Sequence, residues 1–383
     1  MVYQSEFYYP TRQLVSQKID YLWILVSVGG GLTLLRSATL YGDLLESTMS
    51  IIINGQTKRI GLALSGGGFR AAAFHLGVLR CLQQRGLLDK LDVFSCVSGG
   101  SIAGGVVAYH WGDPNVLDRL EAYLKTRSIA VSSVIGGILD PFASRLEKLS
   151  QSYDRDLFAG GTLKDLRHGP RIYFNTTNLA TGNLFFFVAG GELEAEMGEH
   201  ELGVVPAPDF PICLAVAASS AFPPVFPPLR LDAEHYPHAS QVEYVTLTDG
   251  GIYDNMGVGP LLRARNVLDY MIVSDGGKPF VMDDSPTELG TIVLKAGLDI
   301  MMEQIRGLEF DRMSFRHQAG RGPKPLWFSI NSIEGEKQPG DATFASAINT
   351  NLRRLNDAEM TVLTRHGAAL VEARLQRYAP ELP

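Results

Sequence analysis

Between residues 60 and 109 the chain twice runs from a short apolar stretch into a glycine-rich turn and out into a helix-length segment, and few architectures accommodate that pattern. Ile60-Gly-Leu-Ala-Leu64 has strand length, Ser65-Gly66-Gly67-Gly68 breaks it, and residues 69–83 form a nearly all-apolar run that reads as a buried helix. Residues 92–97 repeat the strand, Ser98-Gly99-Gly100 the turn, and residues 101–109 a helix of small side chains. Further candidates lie at residues 171–176, 184–188, 244–247, 270–274 and 326–330, and strands alternating with helices specify an α/β protein. The expectation is a three-layer α/β/α sandwich around a mostly parallel central sheet.

Composition supports a packed core: of 383 residues, 45% are apolar and 20% charged, which excludes a disordered chain or a coiled coil. A net charge of −7 without a basic stripe argues against nucleic acid as a partner. Cys81, Cys96 and Cys213 are too few and too scattered for a disulfide framework and point to a reducing compartment, hence a cytoplasmic protein. Residues 58–383 read as one domain and residues 1–57 as an N-terminal extension. Within that extension, residues 21–35 are uncharged but interrupted by Gly29, Gly30 and Gly31, too short and too glycine-rich for a spanning helix. Two readings stand for this segment: packing on the domain, or a membrane-inserting anchor that associates the protein with a membrane. Residues 113–166 are expected to supply a cap over a site. Leu298, Met301, Met302, Ile305 and Leu308 recur at helical spacing and are expected in the core. Asp357–Tyr378 reads as a closing helix.

Three turns carry candidate chemistry. Cys96-Val97-Ser98-Gly99-Gly100 places a serine at a sharp strand-to-helix turn with small neighbours, the setting of an activated nucleophile at a helix N-terminus. Ser101 is a rival one frame on, where Ala103 takes the place of the second glycine. Gly66, Gly67 and Gly68 can aim backbone N–H groups at one anion, whether phosphate or oxyanion. The run Gly66–Ala71 also satisfies a dinucleotide-binding pattern, with Asp89 or Asp92 as its acidic partner. Two Asp-Gly-Gly elements, at Asp249 and Asp275, follow apolar strands, and either aspartate can reach a site or cap its own turn. No histidine has comparable surroundings: His235 and His238 fall in a polar loop, His75 and His110 in apolar helices. A Ser-His-Asp triad assembled only in space stays open. Nothing calls for a metal or a cofactor.

In combination and in this order, the segments resemble the patatin-like phospholipase family. The resemblance rests on the glycine turn with Phe69-Arg70, the Val97-Ser98-Gly-Gly-Ser101 elbow, and Asp249-Gly-Gly with Asp254-Asn255. It is supported at residues 153–155, 175–182, 217–224 and 274–277, and spans roughly residues 58–376. It implies a Ser98–Asp249 dyad without histidine, an oxyanion hole from Gly66, Gly67 and Gly68, and Arg70 bracing that loop. Ser65 stands where many members carry Asp, Ala71 where a Gly often follows the Arg, and Cys96 where the elbow usually has Gly. The implied activity is hydrolysis of acyl lipid esters at a membrane surface through an acyl-enzyme. The alternatives are acyl transfer by the same dyad and a non-catalytic lipid- or nucleotide-binding protein.

Overall fold

The computed structural model describes residues 24–28, 31–35, 50–129, 143–238, 242–282, 284–286 and 288–383. The chain divides into two compact units, 1–48 and 49–383. In the first, Ile24–Val28 and Gly31–Leu35 form an antiparallel hairpin with Val28 opposite Gly31. The remainder of the hydrophobic segment 21–35 lies outside the described residues. So does the middle of the expected cap, residues 130–142. No helix among the described residues is long and apolar enough to cross a membrane.

The second unit is built on one sheet. Its strands are β1 (Ile60–Leu64), β2 (Val93–Cys96), β3 (Arg171–Asn178), β4 (Asn183–Ala189), β5 (Glu196–Glu199), β6 (Gly203–Pro206), β7 (Leu229–Leu231), β8 (Val245–Asp249), β9 (Tyr270–Asp275) and β10 (Lys324–Ser329). The order is β6-β5-β4-β3-β2-β1-β9-β10, with β8 paired to β3 and β7 to β8. The centre, β3-β2-β1-β9-β10, is parallel throughout. The flank β4-β5-β6 is antiparallel because each connection there is a tight hairpin rather than a helical crossover. Every residue of β1, β2 and β9 is buried, as expected of predominantly apolar strands covered on both faces.

Helices cover the sheet: α1 (Gly68–Gln84), α2 (Gly99–Tyr109), α3 (Val116–Thr126), α4 (Ala143–Tyr153), α5 (Ile212–Ser219), α6 (Gly251–Asp254), α7 (Val258–Leu261), α8 (Gly290–Gln318), α9 (Asp341–Ala347) and α10 (Asp357–Tyr378). The N-terminus of α10 is closed by a reciprocal capping box between Asn356 and Glu359. Helices α1 and α10 meet at two glycines: a Cβ on Gly77 would collide with the Thr364 carbonyl, and one on Gly367 with that of Phe74. Both obstacles are backbone and cannot rotate aside. Gly77→Ala is therefore expected to destabilise the fold by about 3 kcal/mol, read as a lowered urea midpoint at unchanged slope.

One expectation is corrected here. The Leu298–Leu308 stripe is not core: Met301 and Leu308 are exposed, and Leu298, Met302 and Ile305 are only half-buried. Helical periodicity defines a face but not what covers it, and most of this stretch precedes Arg306, where α8 reaches the end of β9.

Candidate active site

The site is fixed by register along one edge of β3. Strand β4 occupies the other edge from Ile172 to Asn178, so β2 and β8 must share the remaining one. Strand β2 takes the first part and ends with Cys96 opposite Phe174. Strand β8 enters antiparallel beyond it, with Asp249 opposite Thr176. Ser98 lies two residues past Cys96, so the pairing delivers Asp249 to the place where the chain turns from β2 into α2. The Asp249 carboxylate accepts the Gly251 N–H at 2.8 Å, and the nearby Ser98 side chain is among the groups that favour its charged form. Its backbone is tied on both sides, N–H to Ala221 O at 3.2 Å and carbonyl to the Thr177 hydroxyl at 2.9 Å.

Ser98 adopts φ 51°, ψ −114°, a strained conformation for a residue with a side chain. The glycines that follow explain how the turn is held. A Cβ on Gly99 would run into the Gly68 carbonyl and one on Gly100 into that of Leu64, so α2 can start this close to β1 only without side chains. Gly100 N–H then donates to Ser65 O at 3.1 Å. Cys96 is buried, and its Sγ sits where a Cβ on Gly104 would fall, beneath α2 and away from the turn.

Ser219 holds the elbow from behind. Its hydroxyl donates to Asn175 O at 2.7 Å and accepts the Ser98 N–H at 3.1 Å. The Ser219 proton is thereby used, so the 2.8 Å contact with Ser101 Oγ is donated by Ser101. Ser101 is fully buried with its proton committed, which leaves Ser98 as the serine able to meet a substrate. Replacing Ser219 with Ala would leave the Ser98 N–H and the Ser101 hydroxyl without their acceptor. The expected cost is about 1–3 kcal/mol of stability and a 10- to 100-fold fall in kcat with KM little changed, measured by denaturation and steady-state kinetics.

The glycine turn lies alongside. Gly67 has φ 139°, accessible in practice to glycine alone. Of the three N–H groups singled out, that of Gly66 is donated to Asn255 O at 3.0 Å. Among the described residues the N–H groups of Gly67, Gly68 and Gly99 have no protein acceptor. Arg70 is fully buried and fastens this turn to its neighbours, Nη2 to Gly276 O at 3.0 Å and Nη1 to Ile348 O at 3.0 Å. Its desolvation lowers its pKa to about 10, partly offset by the charge of Asp275. His75 is a neutral strut beneath the turn: Nε2 donates to Ser65 O at 2.9 Å, and Nδ1 accepts from the Ser274 hydroxyl at 2.8 Å. Burial pushes its pKa down to about 4, so it stays uncharged.

The remaining sequence candidates separate cleanly. Asp275 is engaged by its own turn and by α8, accepting from Gly277 N–H at 3.1 Å and pairing with Arg306 at 3.3 Å. Asp92 lies at the opposite end of the strands, accepting from Ile60 N–H at 2.8 Å and from Arg59. Asp89 pairs with Lys90 at the surface. Neither acid is placed to hold a ribose near Gly66–Gly68, so the dinucleotide pattern lacks its partner. Among the described residues no group of His, Cys, Asp or Glu is arranged to hold a metal. Sequence reasoning missed Ser219 and the backbone role of Asn255. The small-residue helix at Ala215–Ala218 signals close packing, but not which hydroxyl faces the elbow.

Burial also sets the electrostatics. Asp249 is 2% exposed, and desolvation raises its pKa to about 7, opposed by the hydrogen bonds from Gly251 and Ser98. A carboxylate so poised accepts a proton far more readily than a solvated one. The arrangement is thus a strained serine, a carboxylate of raised pKa brought to the same turn, and unused N–H donors at the N-termini of α1 and α2.

A family model described as patatin-like phospholipase matches residues 62–262. A search among curated proteins finds no match. Among solved structures, human GIVD cytosolic phospholipase A2 superposes with a TM-score of 0.56 at 14% identity, over 85% of this chain and 60% of that one. The same human protein with methyl gamma-linolenyl fluorophosphonate inhibitor and terbium chloride gives 0.52 at 14% identity, over 85% and 59%. VipD from Legionella pneumophila gives 0.38 at 15% identity, over 83% and 66%. The chain thus spans about three fifths of the human protein, and the likeness is one of fold.

Proposed function

The chain belongs to the patatin-like phospholipase family, and on that footing we propose that it hydrolyses carboxylic esters of acyl lipids with Ser98 as nucleophile and Asp249 as base. The observation carrying this reading is the register of β2 and β8 on β3, which brings a buried Asp249 carboxylate of raised pKa to the turn that carries Ser98. Asp249 takes the hydroxyl proton as Ser98 Oγ attacks the ester carbonyl. The resulting oxyanion lies between the α1 and α2 N-termini, where the N–H groups of Gly67, Gly68 and Gly99 are available. Gly66 orients this turn through Asn255 rather than donating to substrate. Collapse breaks the ester C–O bond, and Asp249 returns its proton to the departing alcohol. Water, deprotonated by the same carboxylate, then attacks the acyl-Ser98 ester and frees the fatty acid and Ser98.

The alcohol leaves from the same side, so protonating it requires no second acid, and histidine is dispensable in this scheme. Support for a lipid as substrate comes from family membership, and the human protein of similar fold binds a linolenyl fluorophosphonate. Fatty-acid release from phosphatidylcholine vesicles by the wild type and by Ser98→Ala tests the reading. Release by the wild type that vanishes in Ser98→Ala is the expected result. Release that persists in Ser98→Ala moves the nucleophile elsewhere.

A further inference from the structure

Helix α8 is longer than the strands it covers, and two anchors show where the excess lies. Near its C-terminal end Arg316 donates to Leu262 O at 2.8 Å, and the neighbouring Leu261 side chain lies against Gly61 at the start of β1. Midway along, Arg306 pairs with Asp275, the last residue of β9. The helix therefore crosses the sheet from the entry end of its parallel strands to the rim at which Ser98 sits. Residues 290–305 continue past that rim. From Arg306 to Ile292 the helix rises about 21 Å at 1.5 Å per residue.

The two halves differ in surface. On the anchored half Met313 is buried and Phe310 meets the edge of Trp327 at 5.0 Å, while Leu308 and Phe315 are exposed singly rather than in succession. On the projecting half Ile292, Val293 and Leu294 are exposed in succession, Leu294 to 76%, followed by Ile300 and Met301. In the loop leading in, Met282 is 87% exposed. Consecutive helical positions are about 100° apart, so residues 292–294 cover about 200° of the circumference. A rigid groove contacts one face of a helix, whereas a fluid apolar phase surrounds its end. Between residues 278 and 295 two lysines face three acids, a balance that gives no attraction to an anionic surface.

We propose that the projecting end of α8 docks the protein on a zwitterionic lipid surface, its tip among the acyl chains and the Ser98 rim turned toward the bilayer. The proposal rests on the reading of Ser98 as a lipid hydrolase and supplies what that reading lacks, a means of presenting the site to aggregated substrate. Burying Ile292, Val293 and Leu294 in lipid is favourable in proportion to their area, and shallow insertion suits a helix end.

Cosedimentation of the full chain with phosphatidylcholine vesicles is the test. Wild type and Ser98→Ala should pellet alike, which separates docking from catalysis. The Leu294→Asp/Met301→Asp double variant should partition roughly 10- to 100-fold more weakly while hydrolysing a short soluble ester at the wild-type rate. In Leu294→Trp, the new indole should shift its emission to the blue when vesicles are added. Undiminished pelleting of the double variant, or an indole at 294 that stays in water, overturns the proposal. So does unchanged vesicle binding accompanied by dissociation of an oligomer, which would assign the face to a second copy. Wild type that binds vesicles through this helix but releases no fatty acid would instead count against the hydrolase reading alone.

Discussion

Replacing Asp249 with asparagine is expected to lower kcat/KM on an ester about 10³-fold and, at the same time, to make the protein more stable at pH 8. Both effects follow from one property. The carboxylate is buried, and desolvation raises its pKa to about 7 from the ordinary 3.8. Below pH 7 the wild-type base is protonated, so kcat/KM should fall tenfold per pH unit toward acid and level off above pH 7. In the unfolded chain the same group titrates near 4, so the folded state binds the proton more tightly. This aspartate therefore contributes its full stability below pH 4 and loses it as the pH rises through 7, the reverse of a salt-bridged carboxylate. Above pH 7 the buried charge costs on the order of 2–4 kcal/mol, which a neutral amide avoids while still accepting the Gly251 N–H. Thermal denaturation of both proteins at pH 4 and pH 8 checks the sign: the difference should appear at pH 8 and shrink at pH 4. A variant with wild-type turnover and no gain in stability would remove Asp249 from the chemistry.

The second large effect is expected at Gly99. An alanine there drives its Cβ into the Gly68 carbonyl, a backbone obstacle that cannot rotate aside. Gly68 cannot yield, because the next residue, Phe69, has its N–H bonded to Asn351 O at 2.9 Å. Relief must come from parting α2 from the glycine turn, which moves the donors of Gly67, Gly68 and Gly99 off a common point. Losing one such donor costs about 3–4 kcal/mol of transition-state stabilisation, so kcat should fall at least about 100-fold. Overpacking adds a stability loss of about 1–3 kcal/mol. Gly105→Ala on the same helix is the control. Its Cβ would meet only the Phe174 and Phe158 rings at 3.1–3.3 Å, side chains able to shift by a few tenths of an ångström. Steady-state kinetics should show kcat reduced for Gly99→Ala and nearly preserved for Gly105→Ala.

Local pattern reveals the elements because their causes are local. Strand β1 and helix α10 have the bounds their sequences suggest, since a glycine run stops the one and an Asn/Glu box starts the other. The serine elbow is equally visible, because a strained turn demands small neighbours wherever it occurs. What the sequence does not display is pairing over distance. The antiparallel entry of β8 beside β2 brings Asp249 to the serine turn, although Asp249 and Asp275 are both preceded by apolar strands and followed by two glycines. The loss of Gly66 as a free donor depends on Asn255, far along the chain. The commitment of Ser101 depends on Ser219, one of two adjacent serines on a small-residue helix. The exposed stripe of α8 fails differently. Its period is helical, but the helix outruns the sheet, and length relative to a partner is not written in periodicity.

The central claim is that Ser98 is an activated nucleophile, and labelling with a fluorophosphonate probe tests it most directly. At pH 8 the account predicts one labelled site, on the peptide carrying Ser98, retained in Ser101→Ala, abolished in Ser98→Ala and strongly slowed in Asp249→Asn. Label that persists in a folded Ser98→Ala protein, or that disappears in a folded Ser101→Ala protein, would contradict it.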